Sequence, residues 1–334
     1  MKVFEIQKFG LDSLTLTERL EPKPGYGQIL IKLRAVSLNY RDLMVVKGLY
    51  DPKLPMPRIP LSDGVGEVVA LGEGVTRVKS GDRVAGIFFQ KWLAGELTAQ
   101  KAESALGGAI DGMLAEYVVL HEDGVVHVPE HLTDEQAACL PCAAVTAWNA
   151  LFASGGVKAG DTVLVQGTGG VSIFALQFAL LAGARVIATS SSEEKLERVR
   201  GLGASDTINY QQNPQWSKQV RELTAGNGVD YIVEVGGAGT LNESLRAVRF
   251  GGQISLIGVL TGGSGEIATA SILRKNVRVQ GIYVGSRQMF EAMNRAIALH
   301  KLQPVVDRVF PFQEAPEALK YMDGSHFSKI CIRF

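Results

Sequence analysis

The chain reads as an α/β protein built from a barrel-like β unit and a doubly wound parallel sheet. Three observations carry that reading. Turns punctuate the first 120 residues, strands alternate with helices from about Asp134 onward, and one strand–helix junction is the glycine turn G167-T-G-G-V-S172.

The β unit comes first. The turns P22-K-P-G-Y-G27, Y50-D-P-K-L-P-M-P-R-I-P60, L71-G-E-G74 and S80-G-D82 separate short apolar runs at 29–36, 66–71 and 116–120. Strands this short, with turns this frequent, fit an all-β, barrel-like unit. One such run, I29-L-I-K-L-R-A-V36, delivers the chain to "SLNYRD" (37–42), where four polar residues crowd a strand end. That stretch is either a polar turn or a catalytic corner.

The second grammar follows. Residues 135–152 are small and apolar, a helical stretch with Pro141 marking a break or restart. Then come strand T162-V-L-V-Q166, a glycine turn into a helix over 167–183, strand R185-V-I-A-T189 and a helix over 193–202. The runs at 229–235 and 253–259 continue the alternation, which predicts a parallel, doubly wound sheet. The tail offers helices over 290–300 and around 314–322 and a last strand over 329–332.

Composition excludes several classes of function. Lys plus Arg number 34 and Asp plus Glu number 34, so no net field attracts nucleic acid or an anionic membrane. The start, MKVFEIQKFG, has no apolar signal core, and no apolar run approaches membrane-spanning length. Three cysteines make no disulfide framework and suit a reducing cytoplasm. The histidines, His121, His127, His131, His300 and His326, show no metal-ligand spacing.

The glycine turn has the context a dinucleotide site demands: a strand before it and a helix after. Gly167 permits the tight turn, and Gly169 lets the backbone approach a pyrophosphate. The N–H groups of Gly170 and Val171 at the helix start face that anion. Ser172 stands where a third glycine is usual. At the end of the next strand, Ser190 sits where an NAD enzyme places an acid for the ribose hydroxyls. With no carboxylate to repel a 2′-phosphate, and Lys195 one helical turn on, the stretch favours NADPH over NADH. Glu193 and Glu194 argue the other way, and S190-S-S also reads as a simple helix N-cap.

Four motifs in order, "LGEGVTRVKSGDRV" (71–84), "LPCAAVTAWNAL" (140–151), "VKAGDTVLVQGTGGVS" (157–172) and "GGQISLIGV" (251–259), resemble the medium-chain dehydrogenase/reductase superfamily from end to end. Within it the chain is similar to the zinc-independent quinone oxidoreductase branch. The resemblance implies a GroES-like catalytic domain over 1–142, a Rossmann cofactor-binding domain over 143–290 and a return to the catalytic domain over 291–334. It also implies a homodimer, formed by sheet extension at an edge strand over 253–259 and its successor over 277–284.

The resemblance places zinc ligands of related alcohol dehydrogenases at Asn39, Ser62 and Cys142. Asn and Ser are poor ligands, and one thiolate does not hold zinc in catalytic geometry. The segment corresponding to the structural zinc lobe, 88–113, has no cysteine. Cys139 and Cys142 form a CxxC with no second pair, which reads as buried thiols. No metal is expected, so hydrogen-bond donors must meet the charge that appears on the acceptor's oxygen.

The segment "NYRDLMVVKGLY" resembles the N-x-x-D…G-x-Y run of quinone oxidoreductases and enoyl-thioester reductases. By that resemblance Asn39 is an orienting donor and Tyr50 a phenol facing substrate. Tyr40 and Asp63 are further catalytic candidates, and Asp42 is a structural acceptor. Thr146 would lie against the nicotinamide, Gly258 and Val259 would bond its carboxamide, and Tyr210 would stack near the 2′-phosphate. Lys329 is a weaker phosphate candidate, or a strand-edge lysine. Phe88, Phe89 and Trp92 suggest an apolar substrate pocket, or belong to the core. The function expected is NADPH-dependent, metal-free reduction of quinones, enones or related carbonyl compounds. The alternatives are a zinc-independent alcohol dehydrogenase or ketone reductase, and a non-enzymatic cofactor-binding protein of the crystallin kind.

Overall fold

Strand pairing divides the chain in two. The computed structural model describes all 334 residues, with one unit formed by Met1–Val145 and Gly285–Phe334 and a second by Thr146–Val284. No helix is long and apolar enough to cross a membrane.

In the first unit the strands are β1 (Lys2–Ile6), β2 (Leu14–Glu18), β3 (Gln28–Ser37), β4 (Asp63–Leu71), β5 (Arg83–Gly86), β6 (Tyr117–His121) and β7 (Val125–His127). The second unit contributes β8 (Thr162–Gln166), β9 (Arg185–Ser190), β10 (Asp206–Asn209), β11 (Val229–Glu234), β12 (Val248–Leu256) and β13 (Arg278–Gly281). The chain then returns to the first unit with β14 (Val306–Pro311) and β15 (Lys329–Arg333).

The main sheet of the first unit runs β14-β15-β3-β4-β5-β7, with β6 also pairing β3 and with β1 and β2 forming a separate ribbon. β3 is its spine because alternate residues, Ile29, Ile31 and Leu33, are buried in a core shared with Val68, Val84, Phe310, Leu319 and Ile330. Alternation of this kind is what one packed face requires. Toward its end β3 becomes buried on both faces, and Ser37 sits opposite Asp63 of β4 and Cys331 of β15. That register gathers three distant segments at one point. The helix Tyr40–Val46 starts there, with Asn39 as its extended N-cap residue and the Asn39 N–H donated to Asp42 Oδ2 at 2.9 Å. The expected break at Pro141 is a widening instead: the helix Asp134–Ala138 is followed by a π-helical turn, Leu140–Ala144, with the proline in its first turn, where its missing N–H costs nothing.

The six strands of the second unit are all parallel in the order β10-β9-β8-β11-β12-β13. β8 and β9 are buried at nearly every position, as in a sheet covered on both faces. The order reverses between β8 and β11, so the crevice at the carboxyl ends of those strands is the ligand position in this architecture. The expected edge strand at 253–259 is corrected. β12 ends at Leu256 and lies inside the sheet, because β13 pairs along it from Gln253↔Arg278 to Leu256↔Gly281. The edge on that side of the sheet is β13.

Candidate active site and cofactor turn

At the carboxyl end of β8 the chain turns through Gly167, whose φ of +69° favours glycine. A Cβ built on Gly167 or on Gly169 would meet no atom within 4 Å, so open space fronts both residues. Gly169 is the N-cap of the helix Gly170–Leu181 and supplies no side chain to its N–H groups, which leaves donors at Gly170 and Val171 for an anion. Ser172 replaces the third glycine with a purpose. Its hydroxyl donates to Gln166 O at 2.6 Å and closes the turn against its own strand. The turn fits a dinucleotide.

A buried carboxylate braces the neighbouring strand end. Glu234, the last residue of β11, is fully buried and accepts from Gly236 N at 2.8 Å, Gly237 N at 3.0 Å and Gln166 Nε2 at 2.7 Å. The hydroxyls of Thr240 and Ser244 donate to it as well. The next loop is tied to the same glycines, since Thr261 N and Oγ1 each donate to Gly236 O at 2.8 Å. Gly258 belongs to this assembly: a Cβ there would stand 2.2 Å from Val235 O. Val259 beside it is half exposed, and Thr146 is buried in the same unit.

At the end of β9, Ser190 is buried and its hydroxyl accepts from Ser192 N at 3.3 Å. Tyr210 N donates to Ser190 O at 3.1 Å, so the structure brings Ser190 and Tyr210 together, with the tyrosine ring partly exposed. The N-cap role falls to Ser192, whose hydroxyl accepts from Lys195 N at 3.3 Å. Glu193 is taken up by Asn209 Nδ2 at 2.7 Å. No carboxylate stands at the strand end itself.

In the first unit the meeting of β3, β4 and β15 builds a buried polar network. Lys329 is 2% exposed, and its Nζ donates to Leu38 O and to Asn39 Oδ1, each at 2.6 Å. It also stands 3.8 Å from Asp63 Oδ2. Asn39 Nδ2 lies 3.4 Å from Ser62 Oγ, which donates to Asp63 Oδ1 at 2.8 Å. Asp63 Oδ2 accepts from Cys142 N at 3.2 Å and lies 3.5 Å from Ser37 Oγ. Burial pushes the Asp63 carboxyl up, with Lys329 pulling the other way. Burial also pushes Asp42 up, to about 6, against the pull of Arg41. The Cys142 thiol is pushed far up, by burial first and then by Asp63.

This corrects the reading of Lys329. Lys329 is neither a strand-edge lysine nor a side chain reaching for phosphate, because both its short bonds are made inside the first unit. Asn39, expected as an orienting donor, has its oxygen held by Lys329 and its nitrogen 3.4 Å from Ser62 Oγ. The two phenols are placed differently from the network. Tyr40, the first residue of its helix, and Tyr50 are 44% and 41% exposed, so both rings are open to a ligand. Arg41 joins Tyr50 to the interior, its guanidinium 5.1 Å from the Tyr50 ring centre and 4.9 Å from that of Phe88. Its Nη1 donates to Leu106 O at 2.6 Å, and a Cβ on Gly108 would stand 2.2 Å from Nη2, so a side chain there would displace the guanidinium. Phe88, Phe89 and Trp92 are buried against one another, so they take the core reading rather than the pocket one.

The three positions that resemblance assigns to zinc ligands suit the metal poorly. One is an amide whose oxygen is bonded to an ammonium and one a hydroxyl already donating to a carboxylate, which leaves Cys142 as the single side chain of a usual zinc-ligand type. Cys139 lies 3.5 Å from Cys331, sulfur to sulfur, and both are buried, as the thiol reading of the CxxC expects for Cys139. Sequence reasoning missed the hub at Glu234, the stacking of Arg41 and the inward turn of Lys329. Only Glu234 left a trace, an acid that ends the strand V229-D-Y-I-V-E234 just before V235-G-G.

Family models match most of both units: a zinc-binding dehydrogenase over residues 170–298 and an alcohol dehydrogenase GroES-like domain over residues 25–130. A zinc-type alcohol dehydrogenase-like protein of Schizosaccharomyces pombe is 46% identical over 97% of this chain and 96% of its own. Two solved structures superpose over the full length of this chain. A Sinorhizobium meliloti chain described as an alcohol dehydrogenase gives a TM-score of 0.93 at 43% identity over 98% of its length. An NAD-dependent alcohol dehydrogenase gives 0.92 at 34% over 100% of its length. More distant relatives carry other activities: an acryloyl-coenzyme A reductase of Metallosphaera sedula is 30% identical over 92% of both chains, and a quinone oxidoreductase of Sus scrofa 29% over 89% of this chain and 85% of its own.

Proposed function

The chain belongs to the medium-chain dehydrogenase/reductase superfamily as an NAD(P)H-dependent oxidoreductase, and from that premise we propose an NADPH-dependent reductase of quinones, enones or related carbonyl compounds that works without zinc. The observation that carries this reading is the bond from Lys329 Nζ to Asn39 Oδ1, a fixed cation at the positions where related enzymes ligate metal.

The roles in this reading are as follows. Gly167, Gly169, Gly170 and Val171 hold the pyrophosphate, and Ser190, Lys195 and Tyr210 receive the 2′-phosphate. Thr146, Gly258 and Val259 hold the nicotinamide, which when bound supplies the hydride. Tyr50 or Tyr40 gives the proton, since a phenol open to the ligand donates to an oxyanion or a carbanion. Asn39 and Asp63 act from behind, as parts of the network that sets the start of the Tyr40 helix. The absence of a carboxylate at Ser190 supports NADPH. A homodimer is proposed through the free edge of β13.

A second reading, zinc-independent oxidation and reduction at C=O, is favoured by the relatives named as alcohol dehydrogenases. One panel separates the two: NADPH oxidation with a quinone, an enone, a saturated ketone and an aldehyde. The first reading expects turnover with the quinone or the enone at least tenfold above the saturated ketone, on the order of 1.4 kcal/mol of discrimination. Equal or greater rates with the saturated ketone or the aldehyde would favour the second.

A further inference from the structure

Lys329 is a lysine buried in a β strand, and burial of an amine is costly unless every donor is answered. Here two donors are answered at 2.6 Å, by Leu38 O and Asn39 Oδ1, and the charge is balanced by Asp63 at 3.8 Å. Asp63 in turn is bonded to Ser62 and to the backbone of Cys142. The ammonium therefore bonds directly to one of the three metal-ligand positions and reaches the other two through a single carboxylate. A divalent ion at this point would face a like charge that the fold does not let leave. Asn39, held by Lys329, is also the N-cap of the helix that opens with Tyr40, whose next residue, Arg41, lies under the Tyr50 ring.

We propose that Lys329 is the positioning residue of this site: its side-chain ammonium takes the place of a metal ion, fixes Asn39, and through Asn39 sets the helix start that presents the two phenols. The kinetic part of the proposal rests on the metal-free reductase reading. The occupancy part does not.

Two arms test it. The first uses cobalt(II) as a spectroscopic probe and reads no turnover. Variant N39C/S62H restores thiolate and imidazole beside Cys142, and is compared with N39C/S62H/K329M. Tetrahedral thiolate–cobalt absorption is expected only when the lysine is removed. Equal binding with Lys329 present, or no binding in either folded variant, would overturn the assignment. The second arm measures kcat and KM in K329M and K329R. A fall in kcat of about tenfold or more is expected, with KM for NADPH unchanged within about twofold and partial recovery in the arginine variant. A rise confined to KM for NADPH would make Lys329 a cofactor-phosphate ligand and overturn the proposal. Far-ultraviolet dichroism and thermal unfolding check each variant. Should K329M not fold, Lys329→Gln, which keeps a donor toward Asn39 and Leu38, carries the kinetic arm.

Discussion

Lys329 Nζ stands 2.6 Å from Asn39 Oδ1, although 290 residues separate the two in the chain. The bond depends on register. Ser37 pairs with both Asp63 and Cys331, which places the first residue of β15 beside the residue that leaves β3. The cation is thus a product of the sheet rather than of any local motif.

Cofactor preference depends on Ser190. Ser190→Asp would put a carboxylate at the end of β9, where it accepts from ribose hydroxyls and repels a 2′-phosphate. The ratio of kcat/KM for NADPH to that for NADH is expected to fall by about tenfold or more. An unchanged ratio would remove Ser190 from the cofactor site.

The phenols are separable because both are exposed while only Tyr50 stacks on Arg41. Replacing the proton donor with phenylalanine is expected to lower kcat by about 10²-fold, within the range for general acid catalysis, while leaving NADPH affinity intact. Steady-state kinetics on Tyr40→Phe and Tyr50→Phe, with fluorescence titration of NADPH, identifies which one acts. Full turnover in both variants would leave neither phenol in the chemistry.

Asp42 couples the site to pH. Its folded carboxyl titrates at about 6 against 3.8 for the free group, burial being the main cause. The folded state therefore holds the proton more tightly than the unfolded one. The resulting stabilisation is complete below pH 3.8 and is lost as pH rises through about 6. Asp42→Asn has no such titration. Between pH 4 and 7 its stability is expected to gain on the native chain by up to about 3 kcal/mol, read by denaturant unfolding at each pH. A difference that does not vary with pH would contradict the assignment.

Glu234 is answered entirely by donors, from Gln166, Gly236, Gly237, Thr240 and Ser244. Glutamine in its place would turn an N–H₂ group toward at least one other donor. Glu234→Gln is expected to cost about 2–4 kcal/mol in denaturant unfolding and to weaken NADPH binding through the loop at Thr261. A variant as stable as the native chain would show that the carboxylate is not needed.

Much of this architecture was legible in the residues. Strand and helix periods located β3, β8, β9, β11 and β15 to within two residues or so, because burial on one face or two leaves a pattern in the chain itself. Gly167 and Gly169 declared their turn through spacing and context. The network did not declare itself. K329-I-C-I-R reads as a strand with a lysine at its end, and which neighbour receives that lysine is decided by pairing with β3, which no local pattern encodes. The edge was misplaced for a related reason: a strand over 277–284 was legible, but β13 is only four residues long and mostly exposed, so nothing local says that it pairs along β12 and takes the edge. Phe88, Phe89 and Trp92 show the same limit, since an aromatic run looks alike in a pocket and in a core.

The most direct test of the account is zinc content measured by elemental analysis alongside NADPH-dependent enone or quinone reduction, before and after exhaustive chelation. Zinc far below one ion per chain and a rate that chelation leaves unchanged are expected. One tightly held zinc per chain, with activity lost on its removal and regained on its return, would contradict it.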